Sequence, residues 1–208
     1  MKRAPVIRGD VQQPLVEAGI KTAVDELLNG NTDNALLDQI VSVINTATGV
    51  RSNAMLNCLV LYMLRNLESS NRQRNLAFSA NSAQARLLDT LVDRLFPEPR
   101  YNLINAIANQ LRYPNQHTHY FMYALLHLFR ASQTDQSAME VKEQVTRVFA
   151  ERIIVHRPHP WGLMVTLIEV LKNRIYGFWD LPFVKAAPDV SCHAIDVLET
   201  HLLTIWIA

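Results

Sequence analysis

The 208 residues are 49% hydrophobic and 19% charged, with a formal net charge of +1, values that exclude wholesale disorder and give no general reason to expect DNA, an anionic membrane or an acidic substrate. Six glycines and few period-2 alternations leave a sheet-rich fold unsupported. A single all-α domain spanning 1–208 is the expectation.

Residues 1–11 read as a loose arm. Pro14 suits the first turn of a helix running to about Leu28, ended by Asn29, Gly30 and Asn31. Thr32 or Asp33 can cap a second helix with an apolar stripe of Leu36, Leu37, Ile40, Val43 and Ile44, which Gly49 closes. Ser52 is placed as the cap of a third helix, apolar nearly all round from Met55 to Leu64, and hence an inner one. The polar, basic stretch 68–81 is expected to be a mobile loop. Leu87, Leu88, Leu91, Val92 and Leu95 then mark an amphipathic helix, broken from the next by Pro97 and Pro99.

From Tyr101 a helix with one wet side puts Leu103, Ile104, Ile107, Ala108 and Leu111 on one stripe and Asn102, Asn105, Asn109 and Arg112 elsewhere. Tyr113 and Pro114 stop it, since the residue before a proline is pushed out of the helical region. The following helix, to Phe129, is apolar on every side apart from His127 and must be covered on every side. A long outer helix follows over 139–155, then an all-apolar one over Trp161 to Leu171. Inner helices at 52–66, 119–131 and 161–172 make stacked antiparallel helical hairpins, a HEAT-like repeat that is irregular because the first interval is too long.

Cys58 and Cys192 lie far apart and fit, weakly, a reducing compartment. No apolar region of signal-peptide length follows the basic start, and the longest apolar runs fall short of the ~20 residues that span a bilayer. The chain reads as soluble and intracellular.

No catalytic, cofactor or metal set emerges. His117 and His119, with His156 and His159, are the most tempting ligands, yet no Cys or carboxylate stands beside them at a zinc-site spacing. They are expected instead to satisfy backbone groups at helix ends. Pro158 and Pro160 fix an extended approach to the helix that Trp161 starts, and Gly162 allows a neighbouring helix close. Truncating Trp161, read as buried, would cost ~3–5 kcal/mol. Asn105, Asn109 and Gln110 are expected to clamp loops of the adjacent hairpin. Phe178, Trp179 and Phe183, in a short proline-punctuated segment, read as core plugs or peptide anchors, and the apolar tail, with Trp206, must dock on this domain or a partner.

Two stretches carry a family signature: INAIANQLRYPNQHTHYF (Ile104 to Phe121), and ERIIVHRPHPWGLMVTLIEVLKN (Glu151 to Asn173) followed by FWDLPF and AAP to Pro188. Together they resemble the C-terminal domain of Not-one, the large scaffold subunit of the CCR-NOT mRNA deadenylase complex. The resemblance implies a non-catalytic platform, without cofactor or metal, forming the C-terminal half of the Not-one superfamily homology domain. It also implies the partners: the Not-two and Not-three/five subunits, and peptide motifs of mRNA-binding repressors such as Nanos. Deadenylation, mRNA decay and translational repression in the cytoplasm, with a nuclear share, are the implied roles. The competing reading is a nucleic-acid binder using the arginines of region 65–100.

Overall fold

The computed structural model describes residues 11–70, 77–112, 117–131, 136–155 and 160–186. Ten α-helices lie within them: α1 Gln13–Glu17, α2 Lys21–Leu28, α3 Asn34–Thr46, α4 Gly49–Ser70, α5 Ala83–Arg94, α6 Pro97–Asn109, α7 Thr118–Ala131, α8 Gln136–Val155, α9 Trp161–Lys172 and α10 Pro182–Ala186. Two 3-10 turns, Arg174–Tyr176 and Phe178–Asp180, join the last two, and no strand occurs among the described residues. The expected loose arm up to residue 10, and Tyr113, Pro114, Pro158 and Trp206, lie outside the described residues.

Helices α4/α5, α6/α7 and α8/α9 form three stacked hairpins. One layer holds α4, α6 and α8, with α6 packed between the other two; the second layer runs α5, α7, α9. Within a layer the helices recur roughly every 40 residues, the length of one HEAT-type unit. The expected irregularity came from grouping α4 with α7 and α9. Its true layer mates are α6 and α8, and on that register the interval is even.

Several boundaries move for local reasons. The single helix expected from Pro14 to Leu28 breaks at Gly19, whose φ of +71° is a left-handed value that glycine adopts at no steric cost. Gly49 opens α4 rather than only closing α3, and Ser52, expected as a cap, is a buried residue of its first turn. Glu68 to Ser70 extend α4 into the expected loop. Asp33 caps α3 by accepting from the Ala35 amide at 2.9 Å, and Ser82 caps α5 through Ala85 at 3.1 Å. Pro97 starts α6 instead of merely ending its predecessor, a position where its missing N–H is not needed.

A continuous core runs from Leu15 to Val184. Helix α6 packs between α4 and α8 with Leu103, Ile104 and Ile107 inward and Ala106 and Ala108 also buried, while its expected wet side stays half-buried to exposed at Asn102, Asn105 and Asn109. Several of its polar residues make cross-helix contacts. Asn109 Nδ2 donates to Asn57 Oδ1 of α4 at 2.9 Å, and Asn105 Oδ1 accepts from Arg152 Nε of α8 at 3.0 Å. Helix is thereby tied to helix, where a loop clamp was expected.

At the α5–α7 contact Phe78 packs edge-on to Tyr120, with centroids 5.5 Å apart, and lies 5.3 Å from His127, which meets Asp89 at 3.0 Å. The Tyr120 hydroxyl has no hydrogen-bond partner among the described residues. Burial pushes its ionisation up to about 12, against a lesser opposite effect of the nearby Ser82 hydroxyl. The fold therefore favours the neutral phenol. That contribution is complete below pH ~10, and is lost as pH rises towards ~12, because the unfolded chain ionises first. Chemical denaturation at about pH 9 and 11.5 should show a loss of roughly 2 kcal/mol that the Tyr120→Phe variant escapes. Near neutral pH the same variant should cost little, since it removes an unpartnered hydroxyl. Equal alkaline losses in both proteins would count against this account.

Candidate docking surface

Helices α7 and α9 lie side by side and run parallel. Near their N-termini the rings of His119 and Trp161 meet edge to face at 6.1 Å, and at the other end Phe129 packs edge-on against Tyr176 at 5.9 Å. Most of α7 is sealed against α6, α8 and α9, but not every side of it, as the apolar run had implied: Tyr123 is 58% exposed. One stripe of α7, His119, Tyr123 and Arg130, stays in water. Its counterpart on α9 is Trp161, with Val165 and Ile168 half-buried behind it, and Ile175 of the first 3-10 turn extends the strip.

Trp161 is 48% exposed, which corrects the expectation that it is buried. The reason lies one residue on. Gly162 is the inward residue of this first turn, and a Cβ there would stand 2.8 Å from Thr118 Cγ2 and 2.9 Å from the Leu111 carbonyl oxygen. With that side pressed against α7, its neighbour Trp161 must point out. Pro160, buried, gives an extended lead-in (ψ 118°) and accepts the helix's first bond from the Met164 amide at 3.0 Å. His117 plays the matching part for α7, its carbonyl accepting from Phe121 at 3.1 Å, while the His119 side chain is exposed.

The aromatics after α9 divide between core and surface. Phe178, expected among the partner anchors, is 2% exposed and belongs to the core. Phe183 is half-buried against the same core. The left-handed Gly177 (φ +53°) reverses the chain between the two 3-10 turns and brings Phe178 inward. Trp179 alone keeps an exposed face, 39%, with its indole N–H donated to the Leu171 carbonyl at 2.9 Å, which tethers the ring to the end of α9. Tyr123 and Ile175 were missed at the sequence level. The signal for Tyr123 was present: His119, Tyr123, His127 and Arg130, at helical spacing, trace the wettest edge of α7.

Behind this face, a polar seam fixes α8 against α6. Arg100, 4% exposed in its side chain, donates to Glu140 at 2.7 Å and to Gln144 at 2.9 Å. The Tyr101 hydroxyl donates to Glu151, and that hydrogen bond, with Arg147 beside it, holds the Glu151 carboxyl below its ordinary range. Burial lowers Arg152 on the same seam. Among the described residues no group of three His, Cys, Asp or Glu is placed to hold a metal ion. No described helix is long and apolar enough to cross a membrane. What the geometry offers is a rigid apolar face.

The family described as "CCR4-Not complex component, Not1" matches residues 1–196. The chain belongs to the Not1 family. A Caenorhabditis elegans relative, "CCR4-NOT transcription complex subunit let-711", is 38% identical over 184 residues, 85% of this chain and 7% of that protein. Two solved structures share the fold. The NOT1 superfamily homology domain from Chaetomium thermophilum superposes with a TM-score of 0.82 at 32% identity, over 95% of this chain and 40% of that one. A Not1 C-terminal domain in complex with Not4 gives 0.71 at 30% identity, over 88% of this chain and 39% of that one. This Not1-family chain thus spans a small share of its curated relative and about two-fifths of the solved domains. The solved neighbours are helical domains, and the described residues of this chain are helical without a strand.

Proposed function

We propose that this Not1-family chain is a non-catalytic scaffold module on which other subunits of the CCR4-Not complex assemble, supporting mRNA deadenylation, decay and translational repression in the cytoplasm and nucleus. The single observation that carries the reading is the ridge of Trp161, Tyr123 and Ile175, large apolar side chains 46–58% exposed on rigidly packed elements of the family fold. Large exposed apolar side chains on a stiff support are the usual anchors of protein interfaces. Not-two, Not-three/five and Not4 are the proposed subunits, with repressor peptides such as those of Nanos as further ligands. The Not4 complex of a solved relative supports the inclusion of that subunit.

Arginine-mediated nucleic-acid binding has less to work with. Arg94 is held by Asp38 at 2.8 Å and Arg100 is buried against Glu140, so these two guanidiniums of the 65–100 region are already engaged.

The test separates anchor from core. Trp161→Ala should change folding stability by roughly 1 kcal/mol or less, as an exposed position allows, while weakening capture of CCR4-Not subunits from a cell extract at least tenfold. Calorimetry and quantitative pull-down, with the subunits identified by mass spectrometry, give the two readouts. Recovery of no CCR4-Not subunit by the unaltered chain would overturn the scaffold reading; undiminished recovery by the variant would move the interface elsewhere.

A further inference from the structure

Three cations gather at one end of the α7–α9 face. Arg130 sits in the last turn of α7, Lys172 closes α9, and Arg174 opens the 3-10 turn packed against both helices. All three are exposed, and none joins an ion pair among the described residues. The nearby carboxylates are engaged: Glu169 accepts from Asn173 at 2.8 Å, and Asp180 pairs with Lys185 at 3.1 Å. Helix C-termini favour cations, which accounts for Arg130 and Lys172. It does not account for Arg174, and it leaves the outward charge of all three uncovered. From His119 to Arg130 the face runs about 16 Å, or three helical turns, apolar over most of that length and positive at one end.

We infer that this face receives an amphipathic segment of a partner protein that carries aliphatic or aromatic anchors along its length and carboxylates at the end meeting Arg130, Lys172 and Arg174. The inference rests on the scaffold reading and adds to it the chemistry of the ligand. Charge complementarity at the rim sets orientation and excludes basic competitors, while the apolar anchors supply affinity. A single-stranded RNA also uses cations and aromatics, but it needs positive charge tracking its backbone. Here the cations sit together at one end and the middle of the face is lined by Val165 and Ile168.

The probes are two fluorescent synthetic peptides of about 15 residues, with identical Leu and Phe at helical i, i+3, i+4, i+7 spacing and either Glu or Lys at the polar positions, plus a uridine oligonucleotide of similar length. Anisotropy with the full chain should show the Glu peptide binding at least tenfold tighter than the Lys peptide at about 50 mM salt, with the margin narrowing at about 300 mM. The double variant R130E/R174E, checked for unchanged helicity, should abolish or reverse the preference, and Tyr123→Ala should weaken the Glu peptide without changing the salt dependence. Equal binding of the two peptides, a preference that survives R130E/R174E, or tighter binding of the RNA would each overturn the inference. The scaffold reading is scored separately, by whether the same proteins still capture CCR4-Not subunits.

Discussion

Phe129→Ala is expected to cost about 3–5 kcal/mol of folding stability, the range for truncating a fully buried phenylalanine. Phe129 is 0% exposed where α7, α8 and the first 3-10 turn converge. Its ring packs edge-on against Tyr176 and lies under the Lys142 ammonium at 5.9 Å. Truncation loses apolar burial and leaves a void between helices already held at fixed spacing. It also strips a cation, whose charge burial already disfavours, of the ring beneath it. Thermal unfolding should fall by roughly 10 °C or more for a chain of this size, and Phe129→Leu, which fills most of the space, should fall much less. A loss under ~1 kcal/mol would mean that the second and third hairpins can close over the gap, and that they are less rigidly joined than the packing indicates.

The second large effect is at Gly162. In an ordinary helical position Gly→Ala stabilises by up to ~1 kcal/mol through propensity. Here the sign reverses, because the new Cβ meets Leu111 at its backbone oxygen and its Cβ, at 2.9 and 3.2 Å, and the buried Thr118 methyl at 2.8 Å. A backbone carbonyl cannot swing aside, so α9 must shift. Gly162→Ala should cost about 1–3 kcal/mol, and Gly162→Val, with two further methyls at the same contact, about 3 kcal/mol or more. Urea denaturation of the two variants reads the order directly. A Gly162→Ala protein as stable as the original would show that α7 and α9 are not in the contact described.

Both positions show which parts of the structure were legible beforehand. Gly162 as a point of close approach, and the inward stripe of α5, followed from spacing alone, since a residue's face on a helix is fixed by 3.6-fold periodicity. Layer assignment did not follow. Overall apolarity identifies a helix that must be covered but not which helix covers it, so α4 was grouped with α7 and α9 instead of with α6 and α8. The candidate surface suffered from the same limit. A tryptophan in an apolar run looks like core whether it faces in or out, and only the neighbour that presses inward decides; Gly162 decides it for Trp161. Phe178 shows the converse, an aromatic in a proline-punctuated loop turned inward by the left-handed Gly177. The buried Arg100 left no trace in composition, because its partners, Glu140 and Gln144, lie 40 and 44 residues away.

The seam of Arg100, Asn105 and their partners on α8 bears on mechanics. Aliphatic faces are nearly indifferent to a slip of one turn, 5.4 Å, since another row of similar side chains comes into place. Directional bonds are not: the same slip would separate Arg100 from Glu140 and Asn105 from Arg152 together, stranding a buried guanidinium. Shear between the second and third hairpins is thereby locked in a single notch. A load applied at the α9 end would therefore pass into α6 without the two hairpins sliding past each other, as between the teeth of a rack.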